Sequence, residues 1–430
     1  MSTPNKTSSA TIGALLVATL ALCTMPTAYS SSYGNFDARS LAMGGASVAA
    51  GNTEHAHFSN PALLSFENED EDGTRNGRFT FPSVLALVSD AGKSAAEIVE
   101  DDLDGQISDT INVFNASPEN PESQQAVLDA LNNFNDAIGL LNKQTIELEV
   151  FTGISVSEPA DREGGSFFLG VRGMVLGRAE ISEADLALLD DYINSLEFVV
   201  ANGVPEAGDP LFAGGSLVDP RADLTSLARV SSLLVSEWGL AFSKEFPLWN
   251  VPVAFGLTPK LMQVDVYRDV VNFADETPSY SDNKTSHLTM NFDLGVAMDL
   301  YDNYRLGFAI KDLVPRTFAS ENGLRVEMNP HARFGAAYFN SWVTVGLDYD
   351  VIKNKPIANE PESQELSLGL ELSPFDSIDL RLGYRQDMVG ERDDILSAGI
   401  RYQIWRVVAE ATYAVSSEVE GGALQLGWTF

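Results

Sequence analysis

The residues whose types and spacing come nearest to chemistry lie between positions 54 and 79. Glu54, His55 and His57 stand close enough to suggest a metal site. A zinc centre needs at least three protein donors. No third ligand follows, and the chain has only four histidines and one cysteine. The run ENEDEDG at 67–73 places Asn68, Asp70, Asp72 and Gly73 at the spacing of a calcium loop. The closing glutamate position is held by Phe79, so a solvated acidic turn is expected instead. Met43-Gly44-Gly45 has the wrong spacing for a dinucleotide fingerprint, and no strand pattern precedes it. There is no GxSxG, and the scattered histidines define no Ser-His-Asp set. The sequence therefore predicts no enzyme, no cofactor and no metal.

Composition narrows the address. The chain has 430 residues and a formal charge of −34. Phosphate binding needs clustered Lys and Arg, so direct contact with nucleic acid is not expected. Lys6, the apolar run Ile12 to Leu22 and the small-x-small triplet Ala28-Tyr29-Ser30 read as an export signal over 1–30. Cys23 raises a lipoprotein alternative, but Leu22 before it is bulky for such a site, and cleavage after Ser30 is the expectation. That removes Lys6 and the only cysteine, taking the charge from −34 to −35. A mature chain without thiols makes no disulfide and no cysteine metal site. From Phe79 onward no apolar run reaches the length of about 20 residues that a membrane helix needs.

The elements that must position everything else alternate with period two. In QELSLGLEL, Leu366, Leu368, Leu370 and Leu372 share one face against Glu365, Ser367, Gly369 and Glu371. In IDLRLGYRQ the apolar face is Ile378, Leu380, Leu382 and Tyr384. Such alternation predicts strands with one apolar and one polar face. About fourteen are expected, near 79–88, 144–157, 165–180, 231–244, 251–267, 286–301, 304–313, 329–339, 342–352, 364–373, 378–388, 395–405, 406–415 and 421–430. Pro82 predicts an irregularity in the first. In the fifth the apolar parity changes around Pro259, which predicts a bulge or kink there.

Connections after even-numbered strands are short, and those after odd-numbered strands are mostly long and polar. A sandwich has no reason to sort its loops this way; an outer-membrane barrel does. The end agrees, since Leu424, Leu426, Trp428 and Phe430 share one face of GGALQLGWTF. That face is expected to meet lipid, with Trp428 and Phe430 in an interfacial aromatic girdle. Two long connections carry helical stripes: Val127, Leu131, Phe134, Ile138 and Leu141, then Leu186, Leu189, Ile193 and Leu196 behind a Ser182–Asp185 cap. They are expected to pack on neighbouring loops. Arg305, Lys311, Arg333, Arg381, Arg385 and Arg401 share the polar faces with Glu147, Glu149, Asp293, Asp348, Glu365, Glu371 and Glu410, which predicts a lumen filled by mutual neutralisation.

The stretch FDARSLAMGGASVAAGNTEHAHFSNPALLSF at 36–66 resembles the N-terminal signature of FadL-like outer-membrane barrels. More closely it resembles the conjugal transfer TraF-like family of plasmid transfer operons, with Gly44, Gly45, Asn60, Pro61 and Ala62 matching in place. GLTPKLMQVDVY and YRLGFAIKDLVP agree too. The resemblance implies a fourteen-stranded all-β barrel whose N-terminal segment is a hatch plugging the lumen. A thioredoxin-like periplasmic protein shares the TraF name, and the missing mature cysteine excludes that role.

The expected organisation is a signal peptide at 1–30, a hatch at 31–78 and a transmembrane barrel at 79–430. Expected partners are outer-membrane lipid and the barrel assembly machinery, with the chain itself a monomer. Two functions stay open: a non-enzymatic envelope or transfer-associated channel or accessory protein, and a passive uptake channel for a small hydrophobic ligand. The mature protein should fractionate with the outer membrane and shift on gels when heated. Phe430→Asp should lower the amount of the heat-modifiable form several-fold. A soluble periplasmic monomer from wild type would contradict this.

Overall fold

The computed structural model describes residues 34–430 except 67–76, 101–102, 143, 160–161, 213–215, 249–250, 273–282, 302 and 355–361. The expected signal at 1–30 and the acidic run at 67–73 lie outside the described residues.

The alternating segments form β1 (Arg78–Ser89), β2 (Thr145–Glu158), β3 (Glu163–Glu180), β4 (Leu227–Leu248), β5 (Val251–Asn272), β6 (Lys284–Leu300) and β7 (Tyr304–Lys311). A short hairpin, β8 (Arg316–Ala319) and β9 (Arg325–Met328), follows. Then come β10 (His331–Phe339), β11 (Val343–Asp350), β12 (Glu365–Phe375), β13 (Ile378–Asp387), β14 (Ile395–Ile404), β15 (Val407–Val415) and β16 (Val419–Thr429). All but the hairpin pair in sequence order, and β1 pairs β16, giving a closed antiparallel barrel. Gly77 N donates to Phe430 O at 3.1 Å and Phe430 N to Gly77 O at 2.9 Å, so the ladder continues past the last strand.

Outward positions carry exposed Phe167, Leu240, Phe242, Leu257, Leu382, Leu396 and Leu424, the residues a bilayer would cover. The short-turn rim is ringed by exposed Phe246, Tyr301, Trp342, Phe375, Trp405 and Phe430, the placement of an interfacial aromatic belt. β1 shifts register between Thr80 and Ser83 against both neighbours, as Pro82 predicts.

Of the bulge or kink expected at Pro259, the register shift of a bulge is absent, although the β4–β5 pairing lapses between Gly239–Lys260 and Phe242–Leu257. The β5–β6 register runs unbroken from Val253 opposite Met298 to Tyr267 opposite Lys284. What changes is the environment. Phe255 and Leu257 face outward, whereas the buried Met262, Val264 and Val266 pack with Phe318, Leu324, Val326 and Met328 of the hairpin. The hairpin turns the inner face of β5 into a core, so apolar residues switch sides without any change in backbone phase.

Helices α2 (Asp90–Glu100), α3 (Leu103–Ala116), α4 (Pro121–Leu141) and α5 (Glu183–Asn202) occupy the long-loop rim. Leu131, Phe134, Ile138, Leu189, Leu196 and Val199 bury each other in one cluster with Ile107, Phe114 and Tyr192. The stripes thus pack on neighbouring loops. Helix α3 adds a stripe of its own to the same cluster, Leu103, Ile107, Ile111 and Phe114, and Val326 and Met328 alternate in the hairpin; these shorter patterns were not read from the sequence. Ser182 Oγ caps α5 by accepting from Asp185 N at 3.0 Å. Asp185 in turn accepts from Thr225 N at 2.9 Å and Ser226 N at 2.6 Å, latching the helix to the chain entering β4. Burial alone would raise this carboxyl, but hydrogen bonds from Ser226, Ser182 and Thr225 outweigh it and hold it below its ordinary value of 3.8. The latch is therefore fully made above about pH 4 and weakens as pH falls below that.

External protease should cut the 203–212 loop in intact cells, because it lies on the long-loop rim. Asp185→Ala leaves the buried Ser226 donors unpaired at a cost of about 1–3 kcal/mol, and should speed that cleavage. Cleavage only after permeabilisation would reverse the topology.

Candidate functional site

The lumen is occupied by residues 36–65. Three short turns follow one another, each opened by an Asx side chain. Asp37 caps α1 (Ala38–Ala42) by accepting from Ser40 N at 2.8 Å. Asn52 caps the 3-10 turn Thr53–Phe58, accepting from His55 N at 3.2 Å. Asn60 caps Pro61–Ser65, accepting from Ala62 N at 3.1 Å with Pro61 at the first helical position. Asx caps and a leading proline suit such turns because they satisfy or remove donors that a single turn leaves unbonded. Gly44 and Gly45 carry φ of +65° and +97°, a region side-chain-bearing residues avoid.

The wall holds this segment through its backbone. Asp348 accepts from Ser47 N and Val48 N, both at 2.8 Å. Asn60 Nδ2 donates to Val48 O at 2.9 Å and to Val296 O of β6 at 3.2 Å, stitching the segment to itself and to the barrel. Thr412 donates to Ala38 O at 2.7 Å, Ser397 to Ala42 O at 3.1 Å, Ser243 to Ala62 O at 2.9 Å and Lys311 Nζ to Phe58 O at 3.0 Å. Arg39 clasps Glu371 through two bonds of 2.8 and 2.9 Å.

A belt of inward glycines makes room. Gly256, Gly295, Gly307, Gly335, Gly346, Gly369, Gly383 and Gly399 lie on successive strands from β5 to β14. At each, an added methyl would run into the inner segment: at Gly369 it would sit 2.7 Å from Met43 O, and at Gly399 2.6 Å from Ala42 Cβ. Gly346, Gly369 and Gly383 are direct cross-strand partners, so the belt follows the register.

Charges fill the space left between. Arg381 bridges Glu371 at 2.6 Å and Glu410 at 2.5 Å, and Glu410 faces Arg78, which also pairs Glu54. Arg333 pairs Asp350 at 2.5 Å and Glu365 at 2.7 Å. Lys260, 1% exposed, meets Asp312, Asp293 and Glu237 at 2.8, 3.0 and 3.3 Å. A buried charge left alone is costly, so each cation here is surrounded by carboxylates.

An aromatic knot stands beside them. Phe36 and Phe58 meet Phe151 edge-on, both at 5.3 Å, and His57 stacks on Phe168 at 5.3 Å. The cavity among these rings, Arg172 and Lys311 is about 10 Å³, room for one water. Burial holds the His57 ring well below its ordinary value, helped by His55 and Lys311. His55 binds Thr80 and Gln425 rather than pointing to a shared centre with His57. An outer cavity of about 270 Å³ is lined by Glu147, Glu149, Asp387, Glu391 and Arg392, among others. A cavity of about 600 Å³ at the short-turn rim is lined by Arg39, Gly51, Phe66, Asp299, Arg305 and Phe339, among others. The two share no lining residue.

Gly44, Gly45, Asn60, Pro61 and Ala62 all lie inside the barrel and are buried, Gly44 against β13 and the Asn60–Ala62 turn against β5 and β6. Leu426, Trp428 and Phe430 lie apart from them on the outer face, each about half exposed. Sequence reading missed the glycine belt. Its signal is a glycine recurring mid-strand on the polar parity, as in LGL, LGY, FGA and AGI.

A family model described as the F plasmid transfer operon TraF protein matches residues 57–350. The chain belongs to this family. In structure it is similar to the Ralstonia pickettii toluene transporter TbuX, with a TM-score of 0.52 at 11% identity over 92% of this chain and 98% of that one. A Pseudomonas aeruginosa FadL homologue gives 0.50 at 10% identity over 94% and 99%. At these identities the likeness establishes the fold, a FadL-like outer-membrane barrel, for this member of the TraF family. No curated protein matches the sequence.

Gly383→Leu should dislodge the inner segment, since its side chain would overlap Gly44 and Met43. Overpacking of this kind costs about 1–3 kcal/mol. Limited proteolysis within 38–64 should speed up while the heat-modifiable barrel remains; unchanged protection would show that the segment does not depend on the belt.

Proposed function

We propose that this protein is a non-catalytic envelope or transfer-associated component of the outer membrane, exported with a cleaved signal and closed at rest by residues 38–64 acting as a plug. The observation that carries the reading is the way the plug is held. Backbone bonds from Asp348, Thr412, Ser397 and Ser243, the Arg39–Glu371 clasp and the glycine belt grip it from strands on every side. A segment meant to swing aside easily would not be bonded to so many strands. Membership of the TraF family supports the transfer association.

The aromatic knot favours a second reading, passage of a small hydrophobic compound. Phe36 and Phe58 belong to the plug and Phe151 and Phe168 to the wall, so a modest plug movement would open an apolar space between them. The toluene transporter of the same fold lends this reading a ligand class.

Planar-bilayer conductance and proteoliposome uptake separate the two. For the plugged accessory protein, wild type should conduct near zero, deletion of 38–64 should open large steps, and toluene should enter wild-type proteoliposomes no faster than protein-free ones. Toluene entry above that baseline, abolished by Phe168→Arg, would replace the first reading with the second.

A further inference from the structure

The long-loop rim holds a second site that neither reading uses. A cleft of about 450 Å³ opens between the inner faces of β3, β4 and β5, the end of α4 and the tip of the hairpin. Four arginines line it: Arg178 on β3, Arg229 on β4, Arg268 on β5 and Arg325 at the start of β9. The convergence runs against the composition of a chain carrying −34.

The register makes it deliberate in physical terms. Arg178 and Arg229 are direct cross-strand partners, an arrangement that like charges disfavour. Ser231, two residues on from Arg229, is the partner of Arg268, bringing the third arginine to the same patch. The fourth arrives with the hairpin, whose turn is fastened by Asn322 Nδ2 donating to Arg268 O at 3.0 Å. Glu180 is the one carboxylate lining the cleft, and it is committed to Arg229 through bonds of 3.0 and 3.2 Å. Arg178 feels the Glu180 charge only at longer range than Arg229 does, and among the described residues the guanidinium groups of Arg178, Arg268 and Arg325 make no direct ion pair. Elsewhere in the lumen, the strand cations Lys260, Arg333 and Arg381 are surrounded by carboxylates.

We propose that this cleft binds a soluble multivalent oxyanion, a phosphate ester or polycarboxylate, arriving from outside the cell. Guanidinium groups suit phosphate and carboxylate oxygens because their planar donor pairs match them bidentately. Arg178, Arg229 and Arg268 lie on the inner parity of their strands, shared with Leu176, Leu233 and Val266, so a free anion reaches them and a bilayer headgroup does not.

Inorganic pyrophosphate is the probe, titrated at low salt against the full-length protein in detergent. Saturable binding by wild type should weaken at least tenfold in the Arg178→Gln/Arg268→Gln double variant. Lys244→Gln, altering an exposed cation at the other rim, should leave it unchanged. The double variant should keep heat-modifiability, and without ligand its melting temperature should stay level or rise, because it loses like-charge repulsion. Equal affinity in wild type and double variant would overturn the proposal, as would binding to anionic phospholipid vesicles with none to pyrophosphate.

Discussion

Everything in this molecule follows from one constraint: inside a bilayer no water is available to bond a peptide group. An open sheet would leave two strand edges unsatisfied, each group costing several kcal/mol. Pairing of β1 with β16 removes both edges, and the Gly77–Phe430 exchange extends that closure to the rim. With the backbone satisfied along the wall, the two faces of each strand are free to serve different solvents. The outer face takes Leu, Val and Phe; the inner face takes glycine, small polar residues and paired charges.

Closure creates a second problem, an interior that must be filled. A fourteen-strand circumference is too wide for its own side chains to meet across the middle. Here the gap is taken up by residues 36–65, and the filling is of an unusual kind. Instead of side chain packing on side chain, the inner segment's backbone lies directly against strand glycines, as at Gly369 and Gly383. That brings exposed peptide groups of the segment within reach of Asp348, Ser397 and Thr412, which would otherwise be buried without partners. The glycines and the hydrogen bonds are thus one device: the first allows the approach that the second requires.

Above the bilayer the same wall changes character. β3, β4 and β5 are among the longest strands, and their upper halves carry apolar residues inward against the β8–β9 hairpin. The helices beside them bury a core of their own. The rim is therefore a small water-exposed assembly built on a membrane barrel. The arginine cleft lies at the junction of these parts, where strand register rather than local packing decides which side chains meet.

Much of this was legible from residues alone. Period-two alternation located the fourteen barrel strands to within a few residues, because lipid and lumen impose opposite polarity on alternate positions. Pro82 marked a real irregularity for the reason prolines do, a missing donor in the ladder. Pro259 interrupts the β4–β5 pairing without shifting register, and the change of parity there reports a change of surroundings, which no local pattern tells apart from a bulge. The glycines of the belt were visible but mute: each is an ordinary mid-strand glycine until a segment some two hundred residues away or more lies against it, as Val48 does at Gly307. The sequence by itself determined the fold class and the faces of the strands, and only its family resemblance pointed to the N-terminal segment as a hatch. Only the tertiary structure decided which carboxylate meets which arginine and which arginines, among the described residues, are left without a direct ion pair. The reason is that those neighbours are set by barrel register and closure, both of which join residues remote in the chain.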